Sequence, residues 1–129
     1  MVALQAMSED FNDCTPILVV RDVEKSVAYY RDALGFTVDF TFGEPATYAG
    51  VYRGKVLLHL QAEEGAGRPV GGSAVYVYVE DAGRICAELR ERGARVEGEP
   101  EDQAYGLRDF NVWDLDQNRL VVASPTESS

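Results

Sequence analysis

The sequence predicts an α+β domain of two βαβββ repeats. Three observations carry that expectation. Short β-branched apolar runs alternate with amphipathic stretches of helical period. The order strand, helix, three strands occurs twice. The helix signals also match in spacing, since Asp22 to Gly35 spans 13 positions and Asp81 to Gly93 spans 12. A repeat of this length implies duplication, and neither half can bury its sheet alone.

The first repeat opens with the strand Ile17-Leu18-Val19-Val20. Asp22 follows as an N-cap, because its carboxylate can accept an orphan N–H of the first helical turn. Val23, Val27, Tyr30 and Leu34 recur at helical spacing as one apolar stripe, and Gly35 stops the helix. Phe36 to Phe42 alternates as a strand. Ala49–Arg53 and Val56–Gln61 read as a hairpin turning at Arg53-Gly54-Lys55. Glu63 to Gly72 holds four glycines and a proline and reads as a linker.

The second repeat begins with the strand Ala74–Val79 and the N-cap Asp81. The following helix turns Ile85 and Leu89 inward and ends at Gly93. A short strand, Ala94–Glu97, leads into a loop through Pro100 and Tyr105-Gly106. Arg108–Trp113 is a strand, Asp114–Asn118 a turn, and Arg119–Ala123 the last strand. Residues 1–12 lack a period and are expected to be a mobile arm, and Thr126–Ser129 a frayed tail. One domain thus spans 1–129, with half-modules at about 13–64 and 72–125.

Composition excludes several partners. The 129 residues are 46% hydrophobic, enough for a core, yet no run is long enough to cross a bilayer. The N-terminus shows no basic, then apolar, leader pattern, so cytoplasmic residence is the expectation. Lys and Arg total 12 against 22 Asp and Glu, a net charge of −10. Such a surface repels the phosphates of nucleic acid and anionic membrane alike. It attracts cations. Cys14 and Cys86 lie in different halves and form no CxxC pair, so both are expected to be reduced and structural.

Two stretches resemble signatures of a known family. The run Val20-Arg21-Asp22-Val23-Glu24-Lys25-Ser26-Val27-Ala28-Tyr29-Tyr30-Arg31-Asp32-Ala33-Leu34-Gly35-Phe36 resembles the opening signature of the vicinal-oxygen-chelate superfamily, which includes glyoxalases and bleomycin-resistance proteins. Tyr105-Gly106-Leu107-Arg108-Asp109-Phe110, followed by Asp114-Leu115-Asp116-Gln117-Asn118-Arg119, resembles its closing signature. Members usually read Asp-Pro-x-Gly-Asn in that turn, so Leu115 and Gln117 depart from the pattern. The likeness covers roughly residues 13–124 and implies the dimeric glyoxalase/bleomycin-resistance fold, in which the curved mixed sheets of the two repeats surround a cavity.

In the family's enzymes the cavity holds a divalent metal on His and Glu residues. The resemblance places those positions at Thr15, His59, Ala74 and Val121. A stable site needs about three or four N, O or S donors, and only His59 is a good one. No metal or cofactor is expected, and no catalytic residue is assigned. The alternative is a metal-dependent lyase, isomerase or dioxygenase of the same superfamily. A third class is a binding module for an unrelated small ligand.

Thr15-Pro16 and Tyr105-Gly106 resemble the metal-free bleomycin-resistance branch, whose members sequester a cationic, aromatic antibiotic in grooves of a homodimer, often exchanging an N-terminal segment. Strand period then selects the groove. Leu57 and Gln61 share a face with His59, and Tyr76 and Tyr78 share one with Ala74. Asp109, Asn111 and Trp113 alternate with Phe110 and Val112, so the polar set is expected to face the cavity. The expected ligand-binding residues are Tyr48, His59, Gln61, Tyr76, Tyr78, Tyr105, Asn111 and Trp113. Tyr48 is read as a lid on the loop from Gly43 to Gly50. No Ser-His-Asp or Cys-His arrangement and no glycine-rich phosphate loop is legible.

Overall fold

The computed structural model describes residues 10–126, in the order β1 (Ile17–Val20), α1 (Val23–Asp32), β2 (Thr37–Phe42), β3 (Tyr48–Arg53), β4 (Val56–Ala62), β5 (Ala74–Tyr78), α2 (Ala82–Glu91), β6 (Arg95–Asp102), β7 (Leu107–Trp113) and β8 (Arg119–Pro125). The strands make two four-stranded sheets, ordered β1-β4-β3-β2 and β5-β8-β7-β6. In each, the first strand pairs parallel with the fourth, and the remaining pairs are antiparallel. The two halves therefore share one topology, and the expected α+β duplication is what the chain adopts.

Local chemistry explains the element boundaries. Asp22 and Asp81 accept the backbone N–H groups of Lys25 and Arg84 at 3.0 and 3.1 Å, capping each helix. The first helix stops earlier than expected, with Ala33 as its C-cap, and the second ends as expected, with Arg92 as C-cap directly before Gly93. Gly35 and Gly93 come just after, at φ of 75° and 87°, and turn the chain toward the next strand. The expected loop through Pro100 is instead part of β6. That strand is an edge, and its register slips between Glu97 and Glu101, where a residue without an N–H disturbs no ladder.

The core lies between the helices and the sheets. Val23, Val27, Tyr30 and Leu34 of the first stripe join Leu58, Leu60, Leu89, Phe110, Val112, Leu120 and Val122 in one cluster drawn from both halves. Cys86 is buried there, whereas Cys14 is exposed, so the structural reading holds for Cys86 alone. Polar bonds fix the halves together. The Tyr29 hydroxyl donates to the Trp113 carbonyl at 2.5 Å, and Tyr30 donates to Asp114 Oδ2 at 3.0 Å. Asp114, 1% exposed, also accepts the N–H groups of Asp116 and Asn118 and the Asn118 amide. Four donors offset the cost of burying that carboxylate.

The Thr126 N–H donates to the Gly106 carbonyl at 3.1 Å, so Thr126 is tied down rather than frayed. The rest of the expected tail, and residues 1–9 of the expected arm, lie outside the described residues. Among the described residues no helix is long and apolar enough to cross a membrane.

Candidate ligand-binding site

Strand period separates two faces on each sheet. Leu58, Leu60, Phe110 and Val112 turn toward the helices and are buried. The opposite, open faces carry the aromatic and polar side chains. Phe42, Tyr78 and Tyr105 are 69%, 69% and 65% exposed there. These large rings, on the open faces of both sheets, leave apolar surface in water.

On the first sheet the register sets Tyr48 opposite Gln61, and Gly50 opposite both Phe40 and His59. The Tyr48 hydroxyl lies 2.9 Å from His59 Nδ1. Phe40 stacks on Tyr48 with ring centres 6.2 Å apart, and both meet the His59 ring edge-to-face at 5.4 and 5.2 Å. Gly50 makes this possible, since a Cβ there would stand 2.4 Å from the Phe40 ring. Tyr48 opens β3 instead of riding a lid loop, and its hydroxyl is held by His59. A shallow cavity of about 400 Å³ adjoins this group, lined by Phe40, Phe42, Thr47, Tyr48, Gln61 and Glu64.

On the second sheet the hub is Asp109. Tyr76 and Tyr105 each donate to its Oδ2 at 3.1 Å, and the Gln103 amide donates to Oδ1 at 3.0 Å. Hydrogen bonding with Tyr105 first, and with Asp109, raises the Tyr76 phenol well above the usual tyrosine range. Tyr76 and Tyr78 pack edge-to-face with centres 5.2 Å apart. Asn111 pairs with Glu97 and Val121 on the same sheet. The Trp113 indole N–H donates to Glu97 Oε1 at 2.7 Å, and the Arg119 guanidinium lies 5.7 Å from its ring centre. One face of Trp113 therefore already meets an internal cation.

The eight expected residues thus form two groups, Tyr48-His59-Gln61 on the first sheet and Tyr76-Tyr78-Tyr105-Asn111-Trp113 on the second. Asp109, Gln103 and Phe40, which are not among the expected ligand-binding residues, join them. Alternation alone places Asp109 beside Asn111 and Trp113, and Phe40 follows from the strand period of β2. Nothing in the sequence signals Gln103, which reaches Asp109 across an irregular loop.

The residues at the family's metal positions are poor ligands. Ala74 pairs with Arg119 and Val121 with Tyr76, and neither offers a donor atom. His59 has given its Nδ1 to Tyr48. Among the described residues no three His, Cys, Asp or Glu side chains come together as a metal site. This donor set does not fit a divalent ion.

The family model described as Glyoxalase/Bleomycin resistance protein/Dioxygenase superfamily matches residues 11–122. A curated relative, the uncharacterized protein YraH of Bacillus subtilis, is 28% identical over 118 residues, covering 81% of this chain and 91% of its own. The bleomycin-binding protein of Streptomyces verticillus, solved with copper(II)-bleomycin, is 24% identical with a TM-score of 0.75, covering 92% of this chain and 99% of that one. TnmS3, an antibiotic-binding protein of Streptomyces sp. CB03234, is 23% identical with a TM-score of 0.75 and the same coverage. A lactoylglutathione lyase of Agrobacterium tumefaciens has a TM-score of 0.74 at 17% identity, covering 90% of this chain and 96% of its own. At these identities the solved structures share the fold and leave the ligand open.

Proposed function

The chain belongs to the glyoxalase/bleomycin resistance protein/dioxygenase superfamily, and from that premise we propose that it is a binding protein that sequesters an aromatic, cationic small molecule without transforming it. One observation carries this reading. Asp109 is a carboxylate held in place by two phenols and an amide, on the sheet that carries the exposed rings of Tyr76, Tyr78 and Tyr105. A fixed negative charge among exposed aromatic rings favours a flat or substituted cation. The net charge of −10 adds a long-range attraction for the same guests.

The groove of this proposal is completed in a homodimer, where the Tyr48-His59-Gln61 group of one copy faces the Tyr76-Tyr78-Tyr105-Asn111-Trp113 group of the other. Isologous pairing brings unlike halves together twice, so each dimer has two such grooves. The fold neighbours named for bleomycin and antibiotic binding support the ligand class.

The test is a calorimetric titration with a bleomycin-type glycopeptide and with paired aromatic probes differing only in charge. The cationic probe should bind more tightly than its neutral and anionic counterparts, and the gap should narrow in salt, which screens charges over roughly 8 Å at physiological ionic strength. Equal affinity for the three charge types would sink the role given to Asp109.

A further inference from the structure

The duplication leaves two seams in which the turn of one half meets the helix of the other, and they are filled differently. With Asp22 aligned on Asp81, Ser26, Tyr29 and Tyr30 of α1 correspond to Ile85, Glu88 and Leu89 of α2. In the first seam, the turn Asp114–Asn118 meets α1. Buried Tyr30, Asp114, Asp116 and Asn118 occupy the space, joined by hydrogen bonds. In the second, Arg53 pairs with Val56, so the turn is only Gly54-Lys55. Leu89 stands there in place of the Tyr30 ring. Both changes remove volume.

What remains is a cavity of about 660 Å³ with Val77, Val79, Ile85, Leu89, Val112 and Val122 in its walls. Close packing normally eliminates such space from a core, and pockets for small ligands span roughly 300–1,000 Å³. Val77, Val79 and Ile85 stay only partly buried around it. The valines and Leu120 belong to the helix side of the second sheet. The cavity is thus separate from the open-face groups, though Tyr78 also borders it.

Its lining also carries three charged residues, Arg53, Lys55 and Glu80. Arg53 donates to Glu88 at 2.8 Å and to the Leu34 carbonyl at 3.0 Å, and Glu88 also takes Arg92 at 2.8 Å. Arg53 and Arg92 thus share Glu88, and Glu80 has no ion pair among the described residues. Lys55, at the exposed turn, has no ion pair among the described residues. We infer that this crevice binds an amphiphile with an aliphatic body and a single anionic head, of the medium-chain carboxylate class. The chain lies against the valines, Ile85 and Leu89, and the carboxylate sits at Lys55. Since the protein as a whole repels anions, apolar burial supplies the affinity and Lys55 sets the orientation.

Calorimetry with decanoate, decanol and decyltrimethylammonium, each below its aggregation limit, tests this. Decanoate should bind once per chain and more tightly than the other two. Lys55→Glu should weaken decanoate roughly fivefold, in keeping with an exposed ion pair. Ile85→Phe, or Val79→Phe if the first variant loses its circular dichroism, should abolish binding by filling the crevice. Tyr105→Ala should leave decanoate affinity unchanged, which separates this site from the open-face groove. Four results would overturn the inference: decanol binding as tightly as decanoate, binding that survives both fillings, loss on Tyr105→Ala, or saturation at one ligand per two chains.

Discussion

Gln117 stands where the family turn has glycine, and the structure shows what that departure costs. Its φ is 68°, in the left-handed region that L side chains avoid at about 1–2 kcal/mol. A glycine there would relieve the strain but would return about 0.4–1 kcal/mol of freedom to the unfolded chain. The strain is the larger of the two. Gln117→Gly should therefore stabilise the protein by roughly 0.5–1 kcal/mol, read as a higher urea midpoint at unchanged slope. Gly50 makes the opposite case. The Phe40 ring covers its Cα so closely that Gly50→Ala must displace the ring, and with it the packing around Tyr48 and His59. Among the proposed ligand contacts, Tyr105 has the freer ring, because Arg119 already occupies one face of Trp113. Each aromatic contact is worth about 0.5–1.5 kcal/mol beyond burial. Tyr105→Ala and Trp113→Ala should each weaken a confirmed aromatic guest severalfold, with Tyr105→Ala the larger effect and the far-ultraviolet spectrum of both unchanged. An affinity equal to the parent's in both variants would remove these rings from the site.

Element by element, most of the architecture was legible because its causes are local. Asp22 and Asp81 announce their helices by capping chemistry, and the stripe Val23-Val27-Tyr30-Leu34 names the buried face. Strand alternation likewise separated Asn111 and Trp113 from Phe110 and Val112. What the sequence hid is non-local. β6 runs through Pro100 because its place at the sheet edge forgives a missing donor, and edge position is a property of the assembled sheet. The Asp109 hub needs Gln103 and Tyr105 to fold back over β7. The contact between the β3-β4 turn and α2 is also non-local, and it titrates. Hydrogen bonding from Arg53 first, then Arg92, holds the Glu88 carboxyl below the usual range. A lowered folded value means that its stabilisation is present above the ordinary glutamate value and is lost as pH falls through the folded one. All three side chains are about a third exposed or more, so the contribution is only about 0.2–1 kcal/mol. Asp116 runs the other way: burial raises its carboxyl, so its contribution is largest in acid and declines as pH rises through the folded value. The stability gap between the parent and Glu88→Gln should accordingly close below roughly pH 4, whereas Asp116→Asn should gain nothing from acid. Urea titrations of the three proteins from acid to neutral pH check both signs.

At the scale of the whole molecule, the distribution of the two aromatic groups becomes the issue. They lie on different sheets, each with large rings in water, and the hydrogen bonds and ring contacts run within each group. A second copy related by two-fold symmetry can cover both open faces at once and set unlike groups against each other. Sedimentation at micromolar concentration should therefore find a dimer. Subunit mixing tests whether the groove crosses it. A chain carrying Tyr48→Ala and His59→Ala lacks one group, and a chain carrying Tyr105→Ala and Trp113→Ala lacks the other. Each variant alone should fail to bind the guest. In a mixed dimer the two damaged groups face each other in one groove, and the two intact groups meet in the second. Random exchange of equal amounts then restores about a quarter of all grooves, with the parent's affinity at each. Titrating the mixture before and after subunit exchange measures that fraction. If exchange is complete and no binding returns, the two groups do not act across the dimer; if either variant binds alone, the ligand belongs to one open face of a single chain.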